Sequence, residues 1–88
     1  MEIRVLRQPY KFIRRADKPL KEKIKEEVLR IKNNPNLGKK MKGSLYKNIF
    51  KHRFNFKKVS YRITYRIENN ILIICISTRE NYYRDLRI

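Results

Sequence analysis

The sequence predicts an α+β fold in which two helices cover one face of a mostly antiparallel sheet. Three observations carry that prediction. The hydrophobic period changes from 3.6 residues to 2 near the middle of the chain. In the second half, apolar side chains alternate with cations. The last long run, Ile71 to Ile76, is apolar at every position. The expected order is an N-terminal strand, a helical hairpin, a three-stranded antiparallel meander and a short C-terminal helix. At 88 residues, a single domain spanning residues 1–88 is expected.

Each element has its own signal. Glu2 to Leu6 alternates polar and apolar, with Ile3 and Val5 on one side, and reads as a strand ended by Pro9. Tyr10 to Ala16 carries Phe12, Ile13 and Ala16, which suits a short helix. Asp17-Lys18-Pro19 starts a second helix, with a capping residue followed by a proline tolerated in the first turn. Leu20, Ile24, Val28 and Ile31 recur on one face of it, and Asn33-Asn34-Pro35 stops it. Asn36 to Ser44 reads as a loop holding both glycines, Gly38 and Gly43.

The strands follow. From Phe50, one face is Phe50, His52, Phe54 and Phe56; the other is Lys51, Arg53, Asn55 and Lys57. From Lys58, the apolar face is Val59, Tyr61, Ile63, Tyr65 and Ile67. The opposite face is Lys58, Ser60, Arg62, Thr64 and Arg66. Asn69-Asn70 suits a hairpin turn, because Asn tolerates positive φ. Ile71 to Ile76 reads as an internal strand covered on both faces. Arg79 to Ile88 reads as a short terminal segment of one or two helical turns.

Charge is the dominant compositional feature. There are 24 Lys and Arg against 8 Asp and Glu, a net charge of +16. Such a surface repels itself and attracts polyanions. The hydrophobic fraction of 41%, with six tyrosines and four phenylalanines, still supports a folded core. Between Glu27 and Glu68 there is no acid at all, while the stretch holds twelve cations. Surfaces ordinarily mix both signs. Excluding one sign for so long points to a dedicated anion-facing surface, although a generally basic proteome would give a similar count.

Other function classes lack their residues. Cys75 is the sole cysteine and His52 the sole histidine, so no disulfide, metal cluster or two-histidine ribonuclease site is available. His52 falls on an apolar face and reads as structural, and Cys75 as an inert core residue. Gly38 and Gly43 stand alone and form no phosphate-binding loop. No cofactor and no metal are expected. Met1 to Tyr10 lacks an apolar signal core, and Ile71 to Ile76 is too short to cross a bilayer, so a cytoplasmic setting without membrane contact is expected.

Cations and tyrosines remain for chemistry. Arg grips phosphate with a bidentate fork, and tyrosines stack on bases. RNA supplies its own nucleophile, the 2′-hydroxyl. A cationic site can promote cleavage by aligning that hydroxyl and stabilising the phosphorane. Crowding also lowers the pKa of a lysine within it, which would free a base near neutrality. Tyr61 and Tyr65 read as packing. Tyr82 and Tyr83, close after Arg79, are the better site candidates, and Tyr46 is left open.

Lys42-Gly43, Tyr46-Lys47, Tyr61-Arg62-Ile63-Thr64-Tyr65-Arg66-Ile67, Ile73 to Ser77, Arg79 and Tyr83-Arg84 together resemble the RelE/ParE toxin superfamily, and its RelE branch in particular. The resemblance covers nearly the whole chain. It implies ribosome-dependent cleavage of messenger RNA in the ribosomal A site, and a cognate RelB-like antitoxin, with a toxin–antitoxin heterotetramer as one assembly. Carried over by position, Arg62 would hold the phosphate, Arg79 would stabilise the transition state, and Tyr83 would stack on a base or transfer a proton. The family's two strand lysines fall on Arg53 and Asn55. Arg53 can bind phosphate but is no base. Lys51, Lys57 and Lys58 are the alternatives under a shifted register. Lys47, Lys51, Lys57, Lys58, Arg66 and Arg84 are expected to bind RNA. A ParE-like gyrase poison and a non-enzymatic RNA- or ribosome-binding protein are the competing readings.

Overall fold

A computed structural model describes residues 1–86, apart from the side chain of Tyr83. The chain forms β1 (Ile3–Val5), α1 (Arg7–Arg15), α2 (Lys18–Asn33), β2 (Lys39–Lys40), β3 (Ile49–Phe56), β4 (Val59–Ile67) and β5 (Ile71–Thr78). A 3-10 turn at Ser44–Tyr46 precedes β3, and a single helical turn, Tyr82–Asp85, follows β5. The α+β class expected from the sequence is found, with its finer arrangement corrected in three places. The sheet has five strands in the order β1-β5-β4-β3-β2, and it is mixed, since β1 runs parallel to β5. The expected meander is therefore only its middle. Lys39–Lys40, read as loop, pairs with Phe50 and Lys51. At the C-terminus the chain makes one four-residue turn where a short helix was expected.

The helices start where their caps allow. Asp17 accepts a hydrogen bond from the Leu20 N–H at 3.0 Å, and Pro19 sits in the first turn of α2. α1 begins at Arg7, earlier than the position of Pro9 suggests. Pro9 falls inside the first turn, where its missing N–H costs no helical bond. Ile24 and Ile31 of α2 pack with Phe54, Ile63, Tyr65, Ile71, Ile73 and Ile76 into the core. Phe12 meets Tyr61 edge-on at 6.2 Å, and Phe54 stacks on Tyr61 at 5.2 Å. All of these lie on the helix side of the sheet.

Strict alternation would separate Ile73 and Ile76 onto opposite faces. The pairing of β4 with β5 slips between Thr64 and Tyr65, so that Thr64 faces Cys75 and Tyr65 faces Ile73. The extra residue, Ile74, lets both isoleucines reach the core. β1 is too short to pair with the rest of β5. The Gln8 side chain of α1 takes over there, donating to the Ile76 carbonyl at 2.8 Å and accepting from its N–H at 2.9 Å.

His52 is buried on the helix side, where its Nε2 meets Glu27 Oε1 at 2.7 Å. Arg30 and Lys23 reach the same carboxylate at 2.9 and 3.4 Å. Burial alone would raise the Glu27 pKa. The His52 hydrogen bond and the charges of Lys23 and Arg30 outweigh it and hold the carboxyl below its ordinary value. The structural reading of His52 therefore holds, and the last acid before the acid-free stretch is turned inward.

Two predictions follow from these contacts. β3 and β4 join through Lys57 and Lys58, at φ of 49° and 67°. A two-residue hairpin of this kind favours Asn-Gly. Replacing Lys57-Lys58 by Asn-Gly is expected to stabilise the fold by about 1 kcal/mol and raise the melting temperature by roughly 4–8 °C. For Glu27, the ionised form favours the fold because the folded carboxyl holds its proton less tightly than the unfolded one. Its contribution is complete above the unfolded value of 4.5 and disappears as pH falls through the lower folded value. Glu27→Gln should cost roughly 2 kcal/mol near neutrality and flatten the acid limb of a denaturation-versus-pH curve.

Candidate nucleic-acid interface

The face of the sheet away from the helices is built from cross-strand rows. Lys39, Lys51, Thr64 and Cys75 form one row across β2, β3, β4 and β5. Arg53, Arg62 and Ser77 form the next. Asn55 and Ser60 form a third, with Arg79 bonded alongside through its N–H to the Ser60 carbonyl at 2.9 Å. Directly opposed side chains stand about 5 Å apart at Cβ, and successive rows about 7 Å apart. No acid occupies any of these three rows.

One aromatic ring organises the middle of this face. Tyr82, on the C-terminal turn, is fully buried. The Arg62 guanidinium carbon lies 4.9 Å from its ring centroid and the Lys51 ammonium 5.8 Å. Thr64 donates to the Tyr82 hydroxyl at 3.4 Å, and that hydroxyl donates to Met41 Sδ at 3.2 Å. Two polar atoms nearby are buried and have no hydrogen-bond partner among the described residues: Arg62 Nε and, across the strand pair, Ser77 Oγ.

Lys51 is electrostatically the most perturbed cation here. Partial burial, then the charges of Arg62, Lys39 and Arg53, push its ammonium below the ordinary lysine value of 10.5. Cys75 stands in the same row but is inert, since burial pushes its thiol up to about 11. Among the described residues no group of His, Cys, Asp and Glu could hold a metal ion.

The expected site residues divide between several places. Arg53, Arg62 and Lys51 come together. Arg66 shares the face one row beyond Lys51, opposite Ile49, with its guanidinium 3.7 Å from Glu68. Arg79 is exposed and shares a hollow with Lys58, Ser60 and Glu80. Lys57 and Lys58 leave the strand face, because the tight turn uses both as its corner residues, and Lys57 rests 5.5 Å over the Phe56 ring. Lys47 is exposed and lies before β3, beside Lys40, Lys42 and Gly43. Arg84 bonds Asp85 at 3.2 Å and lines a hollow on the helix side with Lys11, Arg15 and Tyr61. The Tyr83 side chain lies outside the described residues. Sequence reasoning missed Lys39, Ser77 and the primacy of Tyr82 over its neighbour. Nothing in two adjacent tyrosines says which one turns inward. Lys39 was legible only once β2 was known to be a strand.

β2 is held in register by Tyr65, whose hydroxyl donates to the Pro35 carbonyl at 2.7 Å and accepts from the Gly38 N–H at 2.9 Å. A Cβ on Gly38 would come within 2.8 Å of that hydroxyl and 2.9 Å of the Lys51 carbonyl. Gly38→Ala is therefore expected to cost about 1–3 kcal/mol and to loosen β2, read as faster amide exchange at Met41, whose N–H bonds the Ile49 carbonyl.

A family model for the ParE-like toxin of type II bacterial toxin–antitoxin systems matches residues 3–87. No curated protein matches the chain, and no solved structure does. The described part of the chain holds no helix long and apolar enough to cross a membrane. The superfamily expected from the sequence is therefore found, under its ParE-like rather than its RelE description, and the partner of such a toxin is an antitoxin. The chain belongs to the ParE-like toxins of type II bacterial toxin–antitoxin systems.

Proposed function

We propose that this toxin is an endoribonuclease that cuts messenger RNA in the ribosomal A site, and that the cationic sheet face is its active site. The observation that carries the reading is Lys51. Its partial burial and the flanking Arg62, Lys39 and Arg53 lower its proton affinity, with no carboxylate in the row to restore it. A lysine whose proton is held less tightly than usual, set beside two arginines that can hold a phosphate, is placed as a general base would be. Lys51 thus fills the role that Arg53 and Asn55, at the family's lysine positions, cannot.

The chemistry follows from RNA itself. Neutral Lys51 Nζ accepts the proton of a 2′-hydroxyl, and that oxygen attacks the adjacent phosphorus. The bond to the 5′-oxygen breaks, and the oxygen leaves with a proton. The products are a 2′,3′-cyclic phosphate and a 5′-hydroxyl. Arg62 and Arg53, permanently charged, hold the non-bridging oxygens and stabilise the phosphorane. Arg79 extends the charge toward the next row. Tyr83 is assigned base stacking or proton donation to the leaving oxygen. Lys47, Lys57, Lys58, Arg66 and Arg84 lie outside this cluster and serve the RNA or ribosome around it. The site works in the cytoplasm, with ribosome and message. A RelB-like antitoxin, acidic enough to oppose a charge of +16, covers it in a toxin–antitoxin complex, with a heterotetramer as the assembly.

Because the ParE-like description of the family favours gyrase poisoning as a second reading, the experiment runs both targets side by side. Purified toxin is added to ribosomes stalled on a defined message, and separately to gyrase with supercoiled DNA. Cleavage at the A-site codon leaving a 5′-hydroxyl is expected. Trapped cleaved DNA with intact message would establish the gyrase reading, and ribosome binding without cutting the non-enzymatic one. Lys51→Arg keeps the charge but abolishes the base, so kcat should fall by about 10²–10⁴. The rise of rate with pH, expected up to the lowered Lys51 value in the wild type, should vanish. Arg62→Ala should lower kcat by about 10²–10³.

A further inference from the structure

Tyr82 does not behave as a core residue. It is fully buried, yet it lies on the side of the sheet away from the helices and outside the apolar cluster. Its neighbours include cations and hydroxyl-bearing or sulfur side chains: Arg62 and Lys51 over the ring, Thr64 and Met41 at the hydroxyl. A leucine there would be apolar but would offer no face for a cation. An aromatic face attracts cations electrostatically, and more strongly where water is excluded. The same closure keeps the ring from stacking on an RNA base, so its part in the site has to be played from beneath.

We infer that Tyr82 is a positioning residue, whose ring is the floor on which the Arg62 guanidinium and the Lys51 ammonium rest, so that the C-terminal turn sets where both cations meet an RNA phosphate. The inference rests on the ribonuclease reading of Lys51 and Arg62. Three observations support the floor. The two cations come from different strands, β4 and β3, and converge on one ring. Arg62 Nε is buried without a hydrogen-bond partner among the described residues. The ring beneath the guanidinium is then the contact among the described residues that orients it. The Tyr82 hydroxyl is in turn held from two directions, by Thr64 on β4 and by Met41 just past β2. The ring itself is thereby fixed.

The inference separates the ring from the hydroxyl, and the test does the same. The full-length chain is made as wild type, Tyr82→Phe and Tyr82→Leu. Folding is checked by circular dichroism and thermal melting. Two quantities are then read. The first is the titration of Lys51, followed by NMR at its 13Cε after lysine labelling and assigned by loss of the signal in Lys51→Arg. The second is kcat and KM for message cleavage on stalled ribosomes.

Tyr82→Phe keeps the ring but loses its contacts to Thr64 and Met41, so the Lys51 midpoint should stay close to wild type and kcat should fall no more than a few-fold. In Tyr82→Leu the ammonium loses the ring it rests on, so the midpoint should move measurably from the wild-type value. There kcat should fall on the order of 100-fold with KM little changed, as expected when reacting groups are displaced rather than binding lost. A Tyr82→Leu protein that is folded and matches wild type in both readouts overturns the inference. So does a Tyr82→Phe protein in which Lys51 shifts as far as in Tyr82→Leu. Where the leucine variant fails to fold, a Tyr82→Phe protein whose kcat falls on the order of 100-fold with the ring in place overturns the inference by itself. A wild-type chain that cuts no message sinks the ribonuclease reading instead. The Lys51 titration then decides alone whether the ring governs the lysine.

Discussion

Arg53 and Arg62 face each other across adjacent strands with no carboxylate in their row, and the rest of the molecule is arranged to sustain that repulsion. Like charges placed directly opposite in a sheet are destabilising. Lys51 and Lys39 add to the same field. What holds the strands together lies one residue away on each. His52 and Phe54 flank Arg53, and Ile63 flanks Arg62 on the helix side. Burying a single isoleucine contributes about 1.5–3 kcal/mol, and among the described residues the helix-side cluster holds five that are wholly inaccessible. The alternation that exposes the cations is the alternation that buries the isoleucines. Neither face exists without the other.

The acids are disposed to leave this repulsion standing. Glu27, at the edge of the acid-free stretch, is buried on the opposite side of the sheet among His52, Lys23 and Arg30. Glu68 and Glu80 lie just past the ends of β4 and β5, and the Glu68 carboxylate meets the outlying Arg66. A cation cluster left without internal counter-ions finds them in whatever polyanion it binds. Affinity for such a ligand should fall steeply with salt, because each phosphate neutralised releases condensed ions. The sheet edges are guarded in the same spirit. β2 presents two lysines, and Gln8 fills the backbone positions that β1 does not reach.

The alternation of β3 and β4 was legible from sequence because the period of 2 is local and both faces are chemically distinct there. Arg53, Arg62 and Lys51 were legible for the same reason, and so was the structural character of His52. What was not legible depends on contacts far apart in the chain. Lys39–Lys40 has no strand pattern of its own; Tyr65 makes it a strand by clasping Pro35 and Gly38. The parallel place of β1 beside β5 carries no local signal. Lys57 and Lys58 continue the alternation in sequence and so read as strand, yet the chain turns on them. The choice of Tyr82 over Tyr83 depends on the direction in which one short turn approaches the sheet.

Repulsion of this kind also changes how the site has to be dissected. Lys51 is shifted by Arg62, Lys39 and Arg53 as well as by its burial, so under the proposed ribonuclease reading the arginines would act on RNA directly and on the lysine indirectly. On that reading, removing one arginine would take away a phosphate ligand and at the same time return Lys51 toward its ordinary proton affinity. Single substitutions in the cluster will therefore not sum, as is usual for groups sharing one network. A double-mutant cycle between Arg53 and Lys51 isolates the indirect part, since the two sit on one strand and need share no phosphate. If the arginine acts only as a phosphate ligand, the coupling is near zero. If it also tunes the lysine, its loss costs less once Lys51 is already arginine. The second outcome is the one the charge arrangement demands, because no carboxylate stands in these rows to absorb the field.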